Sequence, residues 1–232
     1  MAGFPGAKGR IPNFAGAPLT AARLASLPPW RAARVVKANP DAPQLPVRAR
    51  GLVDGKLLYM AVPSLTDERP FILLDPARLD VPPRRAASIT ARRAPGGGLA
   101  LGELQPVDLV VCGSVAVNRE GPRVGKGGGF SDLEFALLVE AGLIDTETVV
   151  ATTVHPQLLA EATAGDRPRL LPRPDRPGEE VIGCRRTRRP QGILWSTWMR
   201  PRSPPSPPWP PGRGRTERCS HDLPLRHGAI PA

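Results

Sequence analysis

The chain has 232 residues, enough for one domain of ordinary size that buries a core without disulfides or metals. Lys and Arg number 32 against 21 Asp and Glu, a net charge of +11, so the surface attracts phosphates, nucleotides and other polyanions. Cys112, Cys184 and Cys219 form no CxxC pair, which argues against structural zinc and for a reducing compartment; with no apolar run of roughly 18 residues and no secretory signal in MAGFPGAKGR, a cytoplasmic protein outside the membrane is expected.

The first elements lie in APLTAARLASLPPWRAA, Ala17 to Ala33, whose helix formers put Leu19, Ala22, Leu27 and Trp30 roughly on one side. Pro28 and Pro29 end the first helix there. ARVVKANPD predicts a short buried strand that leaves Lys37 and Asn39 at its carboxyl end. Asp41 and Pro43 open a helix through APQLPVRARGLVDG, with Gly55 as its stop. LLYMAVP, Leu57 to Pro63, and FILLD, Phe71 to Asp75, are short apolar strands. VDLVVCGSVAV, Val107 to Val117, has the continuous apolar character of a central parallel strand covered on both faces, and Cys112 within it is expected to be a buried, inert thiol. Strands alternating with helices predict an α/β fold, a mainly parallel sheet flanked by helices.

Composition changes near Trp195. Residues 1–195 are read as the α/β domain and residues 196–232 as a Pro- and Arg-rich, disordered or extended basic tail, in which SPPSPPWPP could also serve as a polyproline ligand. His155 follows three apolar or hydroxyl residues and reads as a core histidine, while His221 and His227 with Cys219 match no zinc template.

The most informative stretch is GPRVGKGGGFSD, Gly121 to Asp132. It follows the strongest strand through a turn at NREG and runs into SDLEFALLVEAG, a helix expected from about Asp132 to Ala141, with Ser131 as N-cap and Glu134 completing a capping box. Ligands of open α/β sheets bind beyond the carboxyl ends of the strands, where this loop lies. Gly125, Gly127, Gly128 and Gly129 lack a Cβ, so their backbone can adopt positive φ and turn several N–H groups toward one anion; the helix N-terminus adds partial positive charge. Arg123 and Lys126 would supply full charges, and a carboxylate at Asp132 suits a Mg²⁺ ion between it and a phosphate. The other reading is a mobile glycine-rich turn, with Asp132 favoured only by the helix dipole. The loop is not a nucleoside-triphosphate P-loop, since Gly127 rather than Ser or Thr follows Lys126.

The order G-x-R-x-G-x-G-x-G-aromatic-x-D behind an apolar strand resembles the signature of the 5-formyltetrahydrofolate cyclo-ligase family. GRIPNFAGA, VVKANPDAPQLPVR, GKLLYMAVP, VDLVVCGSVAVNREG and TTVH, Thr152 to His155, look like the branch of that family with methenyltetrahydrofolate synthetase domain-containing proteins. The resemblance covers roughly residues 9 to 157. It implies a fold like the sugar-phosphate isomerase and CoA-transferase group, with ATP and Mg²⁺ as cofactors and 5-formyltetrahydrofolate as substrate, closed to 5,10-methenyltetrahydrofolate. By match to the motif, Arg123 and Lys126 would be catalytic and would hold the phosphates with Gly125, Gly127, Gly128, Gly129, Phe130 and Ser131, while Asp132 would hold the metal. The resemblance also implies an N-terminal helix with a Lys and an Arg, for which this chain has MAGFPGAKGR and, as substitutes, Lys8 or Lys37; Glu103 stands two residues early for the folate-holding Glu. The competing reading is a non-catalytic nucleotide- or RNA-binding relative, suggested by the net charge and by Arg185 to Arg189, against which an aromatic content of 4% leaves little for base stacking.

Overall fold

The computed structural model describes residues 8–61, 68–88, 98–161, 169–170 and 180–184. The first helical segment divides in two, α1 (Ala17–Ala25) and α2 (Pro28–Ala32), because Pro28 and Pro29 stop the first helix and then serve as the opening residues of the second. The buried side of α1 is Ala17, Thr20, Ala21, Leu24 and Ala25, whereas Leu19, expected on the apolar side, is 61% exposed. The small residues Ala17, Ala21 and Ala25, at i, i+4 and i+8, let α1 lie close to its neighbours, and this spacing outweighs the size of Leu19.

Five strands form the main sheet: β1 (Val35–Ala38), β2 (Leu57–Ala61), β3 (Phe71–Leu74), β4 (Leu109–Cys112) and β7 (Val149–Thr152). Their order is β3-β2-β1-β4-β7; β1 is parallel to β2 and β4, β4 is parallel to β7, and β3 is antiparallel at the edge. This is the α/β, mainly parallel arrangement that the apolar runs imply. The α3 helix (Leu45–Val53), entered through a 3₁₀ turn at Ala42–Gln44, connects β1 to β2 and ends ahead of Gly55, whose φ of 75° gives the left-handed turn that stops it.

Alternation along the strands assigns their side chains to two faces. Val36, Ala38, Leu58, Met60, Leu109 and Val111 pack with Trp30, Val47 and Leu52 under α1 to α3, joined by Ala86 of α4 (Pro83–Ala86). On the opposite face Val35, Tyr59, Ala61, Val110 and Cys112 pack against Phe135 and Leu138 of α5 (Phe130–Glu140). Cys112 is buried, as its apolar surroundings in sequence imply. Lys37 follows the period of Val35 and so belongs to the α5 face, in register with Tyr59 and Val110.

The long strand expected over Val107 to Val117 is interrupted. It leaves the sheet after Cys112, and Ala116–Val117 (β5) pairs instead with Arg123–Val124 (β6) in a separate antiparallel ribbon. The break falls at Gly113, where a Cβ would come within 2.9 Å of Asp41 Oδ2 and 3.1 Å of Gln44 Oε1. The missing side chain lets the loop after β1 close over the end of β4. Two further short strands among the described residues, β8 (Ala160–Glu161) and β9 (Arg169–Leu170), pair with each other, and no described helix is long and apolar enough to cross a membrane. The expected tail, residues 196–232, and the arginines at 185–189 lie outside the described residues.

Candidate functional site

The strand order reverses direction between β1 and β4, which places β2 to one side and β7 to the other. At such a switch point the loops leaving two neighbouring strands diverge and open a crevice. Here the crevice is a cleft of about 130 Å³ whose walls are Asn39, Pro40 and Asp41 after β1, and Arg123 and the glycine loop through Glu134. A whole nucleotide needs a site of several hundred Å³, so a cleft of this volume admits only a smaller group.

The glycine loop is aimed into the cleft by the ribbon before it. Asn118 Oδ1 accepts from the N–H groups of Glu120 and Gly121 at 2.9 and 3.0 Å, closing the NREG turn and returning the chain as β6 with Arg123 facing the cleft. The glycines then act in two ways. Gly127 and Gly129 have φ of 93° and 66°, the left-handed region that only glycine enters freely. Gly128 is not in that region; a Cβ there would lie 2.8 Å from the Phe130 ring. Positive φ is therefore confined to two of the four expected glycines, and close packing accounts for a third.

The cap of α5 corrects the sequence reading. Gly129 is the N-cap, with no side-chain cap bond, and the helix begins at Phe130. Ser131 is inside the helix and accepts a hydrogen bond from Asn39 Nδ2 at 2.6 Å. Glu134, expected in a capping box, bonds instead to Lys37. A full positive charge inside the core outcompetes the partial charge of the helix end for that carboxylate.

Every expected loop residue except Gly127 lines the cleft, namely Arg123, Gly125, Lys126, Gly128, Gly129, Phe130, Ser131 and Asp132. Both cations carry carboxylate partners across its mouth. Arg123 donates to Asp132 Oδ1 at 2.7 Å, and Lys126 is 3.4 Å from Asp41 Oδ1. The Asp132 side chain is 68% exposed, so its pairing with Arg123 is a solvent-screened contact that a polyanion can displace at little cost.

Beneath these exposed pairs lies a buried polar cluster. The side chains of Lys37 and Glu134 are 1% and 5% exposed and form an ion pair, and Lys37 also donates to Asn39 Oδ1 at 2.8 Å. Arg48 supports the same loop from the other face, donating through Nη1 to the carbonyls of Asn39 and Asp41 and through Nε to that of Ala87 at 3.0 Å. Burial pushes the Arg48 guanidinium down to about 10, against the raising effect of Asp41. Near it Gln44 is buried with neither amide atom partnered among the described residues, a demand that one bound water would meet.

The sequence reading did not assign Ile11, Asn39, Pro40, Asp41 or Glu134 to the site. For Asn39, Pro40 and Asp41 a signal was available, since they follow an expected strand at its carboxyl end; no local signal marked Ile11 or Glu134. Lys37 is no free cation pointing at a ligand, and Glu103 is absent from the cleft: it forms a bidentate pair with Arg69 and accepts from Ala100 N. His155 lies edge-on to Phe14 at 5.7 Å and accepts from Gln157 N, as befits a structural histidine.

The fold and the site define an α/β protein with a glycine-lined, cation-bearing crevice at the switch point of its sheet. More specifically, residues 8–161 match the model of the 5-formyltetrahydrofolate cyclo-ligase family, and the chain belongs to that family. It is 36% identical over 198 residues to the methenyltetrahydrofolate synthase domain-containing protein of Mus musculus, a match covering 81% of this chain and 51% of the mouse protein. It is 34% identical over 224 residues to the protein of the same name from Bos taurus, covering 94% of this chain and 59% of the bovine one, and 33% identical over 202 residues to that from Homo sapiens, covering 80% and 50%. The chain thus spans about half the length of these relatives.

Proposed function

We propose that the cleft binds the phosphates of ATP and that the protein cyclises 5-formyltetrahydrofolate to 5,10-methenyltetrahydrofolate. The observation that carries this reading is the convergence of Arg123, Gly125, Lys126 and the stretch from Gly128 to Ser131 on one crevice, in a chain of the cyclo-ligase family. The formyl oxygen is a poor leaving group. It attacks the γ-phosphorus of ATP and releases ADP; N10 then bonds to the activated formyl carbon, loses its proton to solvent, and the C–O bond breaks to release phosphate. Such a transfer depends on alignment and charge neutralisation rather than on a covalent protein nucleophile. Arg123 would neutralise the charge that builds on the transferred group, and Lys126, nearer the mouth, would steer the phosphates.

Asp132 and Asp41 fit a hard divalent cation such as Mg²⁺. Both are oxygen donors on the cleft wall, and each is paired there with a cation, Arg123 or Lys126, that entering phosphates would take over. When bound, Mg²⁺ would offset the phosphate charge. The competing reading, a non-catalytic nucleotide-binding relative, rests on the names of the similar proteins, which are called synthase domain-containing proteins.

The test is the rise of methenyl-folate absorbance with purified protein, 5-formyltetrahydrofolate, Mg²⁺ and ATP. A rise that requires ATP and vanishes in Asp132→Asn supports the ligase. No rise, with ATP binding intact by calorimetry, would leave a relative that binds nucleotide without the reaction.

A further inference from the structure

The cleft stands on a buried polar chain that the proposed reaction does not use. Lys37 occupies a core position on the α5 face of β1, where its neighbours in register are Tyr59 and Val110. A methionine or leucine would fill such a position without the desolvation that an ion pair entails. The ammonium divides its bonds between two elements of the cleft wall: Glu134 on α5, and Asn39 in the loop after β1. Asn39 in turn donates to Ser131, so β1 is linked to α5 at two positions three residues apart, 131 and 134, on one side of the helix. These bonds secure the helix start, where the N-cap is Gly129 and no side chain caps the helix.

We infer that Lys37, through Glu134 and Asn39, is the positioning residue of the cleft: its buried ion pair fixes where α5 and the glycine loop stand against the strand ends. The role of this clamp in nucleotide binding rests on the ATP reading above; its mechanical role does not. Three features support it. The pair lies directly under the cleft wall, since Asn39, Ser131 and Glu134 all line it. The loop above is built of glycines and has no stiffness of its own. Arg48 independently anchors the carbonyls of Asn39 and Asp41, which gives Lys37 a fixed base on the strand side.

The test compares wild type with Lys37→Met/Glu134→Leu, which removes both charges and leaves no unpaired buried ion. In the free protein the clamp predicts amide hydrogen exchange at residues 127–134 at least about tenfold faster, unchanged exchange in β4 and α3, and a urea midpoint no lower than wild type. Ser131→Ala should speed exchange in the same segment, and Ser131→Thr, which keeps the hydroxyl that Asn39 bonds, should restore the wild-type rate. In calorimetry the double variant should bind ATP at least about tenfold more weakly. Wild-type exchange rates in the double variant, or acceleration spread evenly through β4 and α3, would overturn the clamp. If wild type binds no ATP while the exchange changes appear, the clamp stands and the nucleotide reading falls.

Discussion

The two ends of the parallel sheet use polar side chains in opposite ways. At the amino end they bond to the main chain or to one another: Asp108 Oδ2 accepts from the N–H groups of Arg34 and Val35 at 2.8 and 2.9 Å, Lys56 donates to Ala33 O at 2.6 Å, and Asp54 accepts from Trp30 Nε1 at 2.8 Å. These contacts hold strand starts and helix ends in place. At the carboxyl end each cleft cation is paired with a carboxylate, and in each pair one member is exposed, Asp132 or Lys126, so such pairs can be exchanged for a ligand's. One end is therefore expected to govern stability and the other affinity, and substitutions can separate them.

The largest effect expected is at the cleft. Arg123→Ala should lower kcat/KM for the cyclisation by about 10²–10³-fold, the usual range for removing one donor to developing charge, while the urea midpoint stays near wild type. At the other end Asp108→Ala should reverse the pattern. It leaves two strand-start N–H groups without their acceptor and should cost about 1–3 kcal/mol in urea unfolding, with ATP affinity unchanged by calorimetry. An intermediate case is Gly127→Ala. There is open space for the methyl group but φ is 93°, so roughly 1–2 kcal/mol of backbone strain should appear as weaker ATP binding rather than as a steric clash.

The smallest effect is in acid. Burial would raise the Asp54 carboxyl, but hydrogen bonds from Arg50 and Trp30 outweigh it and hold the group below the ordinary 3.8. A depressed carboxyl contributes stability that is complete above the ordinary value and is lost as pH falls through the lower folded value. Thermal unfolding should therefore show a decline in Tm below about pH 3.8 that is shallower in Asp54→Asn.

The strands β1, β2, β3 and β4 were legible because short apolar runs bounded by Pro and Gly have few other uses. Strand β7 was not, since VVAT lies among polar residues with half-exposed side chains and gives neither an apolar run nor alternation. The glycine loop was legible as a candidate site, because Arg123, Lys126 and Asp132 stand among glycines at the start of a helix. Its internal geometry was not, since sequence does not distinguish a glycine used for φ, such as Gly127, from one used for clearance, such as Gly128. Glu134 was misread for a related reason. The spacing from Ser131 satisfies a capping box, but the cation that claims its carboxylate is 97 residues away in the chain. Local rules hold until a buried charge from elsewhere offers a stronger partner.

The nucleotide assignment is tested most directly by calorimetric titration of wild type and Arg123→Ala with ATP, ADP and AMP in the presence of Mg²⁺. A cleft that holds phosphates predicts wild-type affinity falling in the order ATP, ADP, AMP, and a much flattened series in Arg123→Ala. Equal affinity for all three nucleotides, or an ATP preference that survives the loss of Arg123, would contradict it.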